Sequence, residues 1–280
     1  MTVSAADIRR AANDARGMVL RMLRAGGSGH LGGALSAIDI VSTLYLSALR
    51  VDPANPAMPD RDRFILSAGH KAMAQYAVLA VAGFFPREVL DTYGSYGSRV
   101  PGHPDMYKLP GVEANTGALG HGLPIACGMA LGARLSGLDS RVFVVMGDGE
   151  LPEGSNWEGA SIAAHHGLDN VVAFVDVNGL QISGPTREVM DMSSIGAKFR
   201  AFGWSVEEID GNDVDQILDV LARVPFEKGR PTAIVARTVK ARGLAALEGT
   251  VASHYWKPTA EALDDAEREI AAKLDEEVAR

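Results

Sequence analysis

The sequence has one cysteine, few aromatic residues and no excess of positive charge. A single cysteine, Cys127, excludes an intramolecular disulfide framework and any multi-cysteine zinc or iron–sulfur site, which fits a reducing compartment. The 27 lysines and arginines are outnumbered by 35 acidic residues, and the formal net charge is −8. Because binding to nucleic-acid phosphates needs a clustered basic surface, we expect no nucleic-acid partner.

A long hydrophobic run is also missing. The longest apolar stretch, Tyr76–Phe85, is about half of the roughly 20 residues that a bilayer span requires. The first thirty residues carry charged side chains without an uninterrupted apolar segment, which argues against a secretory signal. We therefore expect a cytoplasmic protein with no membrane association.

Continuous apolar runs alternate with helical patterns through the middle of the chain. VFVVM (142–146), VVAFVDV (171–177) and PTAIVAR (231–237) are typical of strands buried on both faces of a parallel sheet, and WSVEEI (204–209) predicts a fourth strand. This alternation predicts an α/β fold with a mostly parallel central sheet flanked by helices. We expect a single domain over residues 1–280.

Helical periodicity predicts the elements around this sheet. Ser4 is a candidate N-cap for the first helix of a helical N-terminal extension. Further helices are predicted over Leu35–Leu49, His70–Ala82 and Leu119–Ser136. A charged amphipathic helix over 259–280 is predicted to lie on the surface.

Glycine is abundant, with 31 residues or about 11% against a usual 7% or so. Gly27, Gly29 and Gly32 match the GxGxxG pattern of dinucleotide-binding loops. Such a loop follows a strand, however, and the residues before Gly27 predict a helix. We therefore interpret the segment as a loop between two helices. The hypothesis of an NAD-dependent oxidoreductase would rest on this match alone.

Asp148 and Asn178 follow two successive predicted strands. About thirty residues separate them, the length of one β–α–β crossover, so the carboxyl ends of the two strands can lie side by side. A carboxylate, an amide oxygen and a nearby main-chain carbonyl are hard donors that suit Mg²⁺ or Ca²⁺ bridging to a diphosphate. The spacing therefore predicts a metal and diphosphate site at this edge of the sheet.

The combined motifs resemble the transketolase family of thiamine-diphosphate enzymes. A GDG sequence followed by about thirty residues and an asparagine resembles the thiamine-diphosphate motif. The surrounding segments that carry the resemblance are SGHLGG (28–33), DRFILSAGH (62–70), PGHP (101–104), LPGVEANTGALGHGL (109–123), GDGELPEG (147–154) and VDVNGLQISG (175–184). The resemblance implies a thiamine-diphosphate-binding fold, with thiamine diphosphate and Mg²⁺ as cofactors and Ca²⁺ or Mn²⁺ as possible substitutes for the metal.

The resemblance also implies roles for individual residues. The metal ligands would be the side chains of Asp148 and Asn178 and the main-chain oxygen of Leu180. The other implied cofactor contacts are His70 and Gly117 at the diphosphate, Leu119 at the aminopyrimidine, Gly149 for close backbone approach and Glu153 near the dimer contact. The implied catalytic residues are the channel histidines His30, His70 and His103, with His254 in a looser match.

The resemblance covers only the diphosphate-binding region of a transketolase. It therefore implies an N-terminal subunit of a split enzyme, unless the sequence is part of a longer chain. The C-terminal subunit would carry the pyrimidine-binding domain in an α₂β₂ assembly, and the complex would transfer a ketol unit between sugar phosphates or related anionic sugars. Leu31 and the SHYWKP segment (253–258) depart from the family pattern near the substrate entrance.

Two further interpretations remain open at this point. The α subunit of a 2-oxoacid dehydrogenase E1 component shares the GDG and asparagine spacing, although the three histidines in SGH, AGH and PGHP contexts favour transketolase. A non-catalytic cofactor-binding subunit could also retain the fold. Acyl transfer to lipoyl groups would distinguish the first of these from ketol transfer, and turnover with a partner would distinguish the second.

Overall fold

A computed structural model describes residues 3–278 of the chain, with side chains described as far as residue 274. At its centre is a five-stranded sheet with the order β1-β2-β3-β7-β6, in which every neighbouring pair is parallel. The sheet strands are β1 (Arg63–Leu66), β2 (Val142–Gly147), β3 (Val171–Val177), β6 (Ser205–Asp210) and β7 (Thr232–Arg237), and a small hairpin is formed by β4 (Leu180–Gln181) and β5 (Gly184–Pro185).

Helices flank the sheet on both faces. They are α1 (Ala5–Gly26), α2 (Leu31–Thr43), α3 (Ala72–Val81), α4 (Gly122–Leu135), α5 (Gly154–His165), α6 (Thr186–Val189), α7 (Ile195–Ala201), α8 (Val214–Leu221) and α9 (Ala260–Val278). A π-helical segment, Leu44–Ala48, extends α2, and short 3₁₀ turns include Gly69–Lys71 before α3 and Asp148–Glu150 after β2.

Alternating side chains of each central strand enter two separate hydrophobic clusters. Phe143 and Val145 of β2 pack with α1, α2 and α3, whereas Val144 and Met146 pack with α4 and α5 on the opposite face. Every residue of β2 is buried because both faces are covered, which explains the continuous apolar run in the sequence. The predicted α/β fold with a parallel central sheet flanked by helices is confirmed.

The first helix is capped at both ends. Ser4 and Asp7 form a capping box at its start, and Gly27 ends it in the left-handed conformation with φ at 73°. The last helix, α9, packs against α1 and buries Ile270 in the main cluster. The helix buries one face and exposes the other, as predicted for an amphipathic surface helix, and residues 279–280 of the predicted range lie outside the described residues.

The α2 helix differs most from its predicted limits. It begins at Leu31, four residues earlier than predicted. Gly32 and Gly33 at its start are buried, and because glycine has a low helix propensity the sequence there does not indicate a helix. Together with the π-helical segment it forms an apolar helix over Leu31–Ala48, longer than the Tyr76–Phe85 run expected to be the longest. By length and composition this helix could cross a membrane, but 83% of it is buried inside the protein, as in core helices.

Candidate active site

Asp148 and Asn178 lie at the carboxyl ends of neighbouring parallel strands. β2 and β3 pair directly, and each of the two residues follows its strand immediately. The Asp148 carboxylate accepts hydrogen bonds from the main-chain N–H groups of Gly149 at 2.9 Å and Gly179 at 2.8 Å. It therefore reaches the turn that follows Asn178, and the structure brings the two residues to one edge as predicted.

The Asn178 amide is oriented from both sides. Its Nδ2 donates to the Ser36 hydroxyl at 3.2 Å, and its Oδ1 accepts from the Leu180 N–H at 3.1 Å. The main-chain oxygen of Leu180 accepts a hydrogen bond from Lys240 Nζ at 3.1 Å. Carbonyl oxygens have two lone pairs each, so both oxygens retain the capacity to contact a cation.

These donors fit a divalent cation that is shared with a bound ligand. Within residues 3–278 and the side chains described there, no group of three or more His, Cys, Asp or Glu residues could hold a metal on its own. One carboxylate with two neutral oxygens suits Mg²⁺, which commonly completes its coordination with phosphate oxygens. Burial and the charge of Asp176 raise the pKa of Asp148 to about 6, so a nearby cation would stabilise the carboxylate.

A second carboxylate, Asp176, is neutralised within the protein. Lys71 Nζ lies 2.6 Å from its Oδ2, and both side chains are almost completely buried. The hydroxyls of Ser36 and Thr238 also donate to Asp176. Since Ser36 contacts both Asp176 and Asn178, the ion pair and the candidate metal ligand belong to one hydrogen-bonded network.

Lys240 is a further buried cation at the same edge. Its Nζ lies 3.0 Å from Nδ1 of His254, in addition to the contact with Leu180. Burial, together with the charge of Lys71, lowers the pKa of Lys240 to about 8. Sequence reasoning missed both lysines, although Lys240 follows β7 by three residues and the preference of ligands for carboxyl strand ends could have identified it.

Four histidines from distant segments meet beside these groups. The ring centroid of His30 lies 5.4 Å from that of His70, 6.0 Å from that of His103 and 5.5 Å from that of His254. His70 and His254 stack at 5.5 Å. The structure therefore brings together all four histidines that the sequence indicated, including the most loosely matched one.

Burial lowers the pKa of three of these imidazoles, those of His30, His70 and His254. Burial, and then the charge of Lys71, lower the pKa of His70 to about 2, and burial with Lys240 lowers that of His254 to about 4. Burial, and then His103, also lower the pKa of His30. Neutral imidazoles can both donate and accept hydrogen bonds, which suits contact with sugar hydroxyls.

A cavity of about 340 Å³ is lined by Asp148, Asn178, Lys71, Lys240 and three of the four histidines, His30, His70 and His254. Its lining includes the predicted cofactor-binding residues Gly117, Leu119 and Gly149. Gly117 has a φ of 147°, and a Cβ at this position would lie 2.8 Å from Cδ2 of His103. Only glycine fits there, which leaves the main chain open to a close ligand.

Glu150 and Glu153 have different surroundings, although both follow the GDG turn. The buried Glu150 carboxylate accepts hydrogen bonds from the Ser67 hydroxyl and from the N–H groups of Gly120 and Gly147. It thus ties together three segments around the cavity, a role that sequence reasoning missed. Glu153 is exposed and lies outside the cavity lining, so its implied role near the dimer contact stays a prediction.

Comparison with known proteins identifies similar sequences. Residues 8–274 match the family model described as transketolase, thiamine diphosphate binding domain. An apulose-4-phosphate transketolase subunit from Phocaeicola vulgatus is 41% identical, over 89% of this chain and 88% of the relative. The 6-deoxy-6-sulfo-D-fructose transketolase subunit SqwG of Clostridium sp. is 40% identical, over 91% of this chain and 93% of the relative.

Solved transketolases share the fold. The Campylobacter jejuni enzyme superposes with a TM-score of 0.88 at 31% identity, covering 97% of this chain and 43% of that chain. The Leishmania mexicana enzyme has a TM-score of 0.85 at 29% identity, covering 100% of this chain and 46% of that chain. The chain therefore spans less than half the length of these solved proteins, but nearly the whole length of the two shorter relatives.

Proposed function

The chain belongs to the transketolase family, and on that premise we propose that it is the N-terminal subunit of a two-subunit transketolase. With its partner it transfers a two-carbon ketol unit from a ketose to an aldose. The observation that carries this proposal is one cavity that Asp148, Asn178 and two buried lysines line together with three histidines of the four-histidine cluster. We further propose that residues 1–280 act as one diphosphate-binding domain in the cytoplasm.

In this proposal the carboxyl edge of the sheet holds the diphosphate end of thiamine diphosphate. Asp148, Asn178 and the main-chain oxygen of Leu180 bind Mg²⁺, while Gly117 and Gly149 let the backbone approach the cofactor. Lys240 supplies positive charge toward the diphosphate from within the cavity. When bound, thiamine diphosphate supplies the carbanion chemistry that carbon–carbon bond cleavage requires.

The histidines handle protons on the substrates. His30, His70, His103 and His254 accept hydrogen bonds from substrate hydroxyls or donate to substrate oxygens. An imidazole at the reacting hydroxyl accepts its proton when the ketose bond breaks and returns a proton when the new bond forms. His30, His70 and His254 are partly buried, which limits access of water to these transfers.

We propose that the partner subunit contacts the outer surface of α4 and α5, defined here by Gly128, Gly132, Leu135 and Ile162 and named the α4–α5 face. Leu135 is 80% exposed and Ile162 is 49% exposed. A Cβ at Gly128 or Gly132 would meet nothing within 4 Å, so nothing within this chain requires glycine there. Glycine inside a helix costs about 1 kcal/mol relative to alanine, so its presence at these exposed positions favours contact with another chain. Exposed apolar and small residues favour close packing by another chain, here in an α₂β₂ assembly.

We propose sugar phosphates or related anionic sugars as substrates. The names of the two shorter relatives specify apulose-4-phosphate and 6-deoxy-6-sulfo-D-fructose, both of which carry an anionic group. The histidine end of the cavity is neutral, so we assign recognition of that anionic group to the partner subunit. The four-histidine cluster favours ketol transfer over the acyl transfer of a 2-oxoacid dehydrogenase E1 component.

Reconstitution tests the proposal. The purified chain with thiamine diphosphate and Mg²⁺ should show little ketol transfer, and addition of a pyrimidine-binding transketolase subunit should restore it. Strong activity of the chain alone would contradict the need for a partner. Acyl transfer to lipoyl groups by the complex would favour the E1 alternative, and a complex without turnover would favour a non-catalytic subunit.

Metal-dependent cofactor binding tests the site itself. The substitution Asp148→Ala should abolish Mg²⁺-dependent binding of thiamine diphosphate by the reconstituted complex, as measured by calorimetry, with the circular dichroism spectrum unchanged. The exposed Asp191→Ala is a matched control and should bind normally. Unchanged affinity in the Asp148 variant would remove the metal-ligand assignment.

A further inference from the structure

Tyr255 is a half-exposed aromatic residue that is nevertheless held in place. Its side chain is 54% exposed, yet its ring packs against His30 with centroids 4.9 Å apart and an interplanar angle of 78°. Its hydroxyl lies 2.9 Å from the Ser28 hydroxyl and forms a hydrogen bond with it. The ring is therefore fixed both by its packing and at its tip.

The backbone beside Tyr255 is fixed as well. Trp256 forms an isolated antiparallel bridge with Gly29, with N···O distances of 2.9 and 3.1 Å. A Cβ at Gly29 would lie 2.9 Å from the Met73 side chain, so the loop before α2 is closely packed where the bridge forms. Ser28, Gly29 and His30 are consecutive. This one short segment therefore contacts the hydroxyl of Tyr255, the backbone of Trp256 and the ring of Tyr255.

Tyr255 lies at the rim of the cavity. His30 and His254 line the cavity, whereas Tyr255 lies against His30 outside that lining. The buried lysines lie among Asp176, Leu180 and His254, so they contact the interior groups of the cavity. A substrate chain that extends outward past His30 would meet the tyrosine ring, whose hydroxyl is already engaged by Ser28.

We propose that Tyr255 determines which aldose acceptors react, by forming a fixed wall beside His30 that excludes long or branched carbon chains. This inference rests on the proposed ketol-transfer function. A wall that is held by Ser28 and by the Gly29–Trp256 bridge does not move aside for a larger substrate. Short acceptors end before reaching the rim, so the wall discriminates by chain length.

The test compares acceptors in the reconstituted complex with a fixed ketose donor. Values of kcat/KM are measured for glycolaldehyde and for D-ribose, two uncharged aldoses of different length. We expect Tyr255→Gly to raise the ratio of the ribose value to the glycolaldehyde value by about tenfold, within the range by which pocket shape discriminates substrates. The glycolaldehyde value and the affinity for thiamine diphosphate should stay unchanged.

Further variants separate the wall from other effects. Tyr255→Phe and Ser28→Ala each remove the same hydrogen bond, so each should raise the ratio by about twofold and the double variant should rise no further. Tyr96→Gly removes another tyrosine, one that is fully exposed, and should leave the ratio unchanged.

Two results would overturn the inference. One is a lower ratio in Tyr255→Gly. The other is an unchanged ratio, and if both acceptor values fall equally it would show that the tyrosine acts only through His30. In each of these cases turnover by the wild-type complex leaves the proposed function intact. Absence of ketol transfer from the wild-type complex with either acceptor would overturn the proposed function and the inference together.

Discussion

Lys71 and Asp176 form an ion pair at 2.6 Å in which both side chains are almost completely excluded from solvent. Burying either charge alone would cost several kcal/mol, so each group depends on the other. Ser36 links the pair to Asn178, and Lys71 lines the cavity. The packing of the core and the geometry of the candidate cofactor site therefore depend on the same contact.

Removal of the Lys71 charge should destabilise the protein strongly. We expect Lys71→Met to lower the free energy of unfolding by about 3–5 kcal/mol, because the Asp176 charge is left buried without its partner. Urea denaturation at pH 7 measures the change. The double variant Lys71→Met, Asp176→Asn should recover at least half of the loss, and a loss below about 1 kcal/mol in the single variant would contradict the dependence of Asp176 on Lys71.

Glu150 should be sensitive to the loss of one acceptor oxygen. In Glu150→Gln one side-chain oxygen becomes an NH₂ group. This group faces either the N–H of Gly147 or the Ser67 hydroxyl and the N–H of Gly120, all of which are donors. We expect a loss of about 1–3 kcal/mol in the free energy of unfolding, since a buried donor is left unpaired. Glu153→Gln is the matched control and should change it by less than about 0.5 kcal/mol, because Glu153 is exposed. Equal effects in urea denaturation would refute the assignment.

Gly117 and Gly128 should respond in opposite ways to alanine. Gly117→Ala forces a side chain into a positive-φ position and against His103, so we expect lower thermal stability and slower turnover of the complex. Gly128→Ala fills open space in a helix and should raise the stability of the isolated chain by about 0.5–1 kcal/mol. Calorimetric melting of both variants checks the difference, and similar shifts would show that the Gly117 backbone is not constrained.

The pH dependence of stability should report on His254. Its pKa falls from 6.5 to about 4 in the folded protein because of burial and the charge of Lys240. The unfolded chain therefore takes up a proton near pH 6.5 while the folded chain remains neutral, so stability is lost as the pH falls from about 6.5 toward 4. His254→Gln should flatten this slope in urea denaturation between pH 6.5 and 4.5. A slope identical to that of the unmodified protein would show that His254 does not contribute.

Much of the fold was predictable because its strands are buried on both faces. The run VVAFVDV coincides with β3, and VFVVM lies within β2, since in each case the local pattern and the tertiary environment agree. The start of α4 was predicted three residues early, at Leu119 instead of Gly122, because the loop that lines the cavity before it is also apolar. Helical periodicity alone does not separate such a loop from a helix.

The candidate site was predictable where it follows a strand. Asp148 and Asn178 could be placed together because parallel strands end at one edge. Lys71, Ser36 and Glu150 were not identified, because their contacts depend on how α2, α3 and the GDG turn pack in three dimensions. A lysine beside a histidine in sequence gives no indication that it will be buried against an aspartate over a hundred residues away.

The bond between Ser28 and Tyr255 joins residues that are 227 positions apart in the chain. β7, which is synthesised late, also lies between β3 and β6 in the sheet. During translation the first three histidines emerge long before the fourth, and neither the sheet nor the rim can close until the final third of the chain has left the ribosome. The four-histidine cluster is thereby completed late in biosynthesis, whereas Asp148, Asn178 and the first three histidines are already present in the nascent chain.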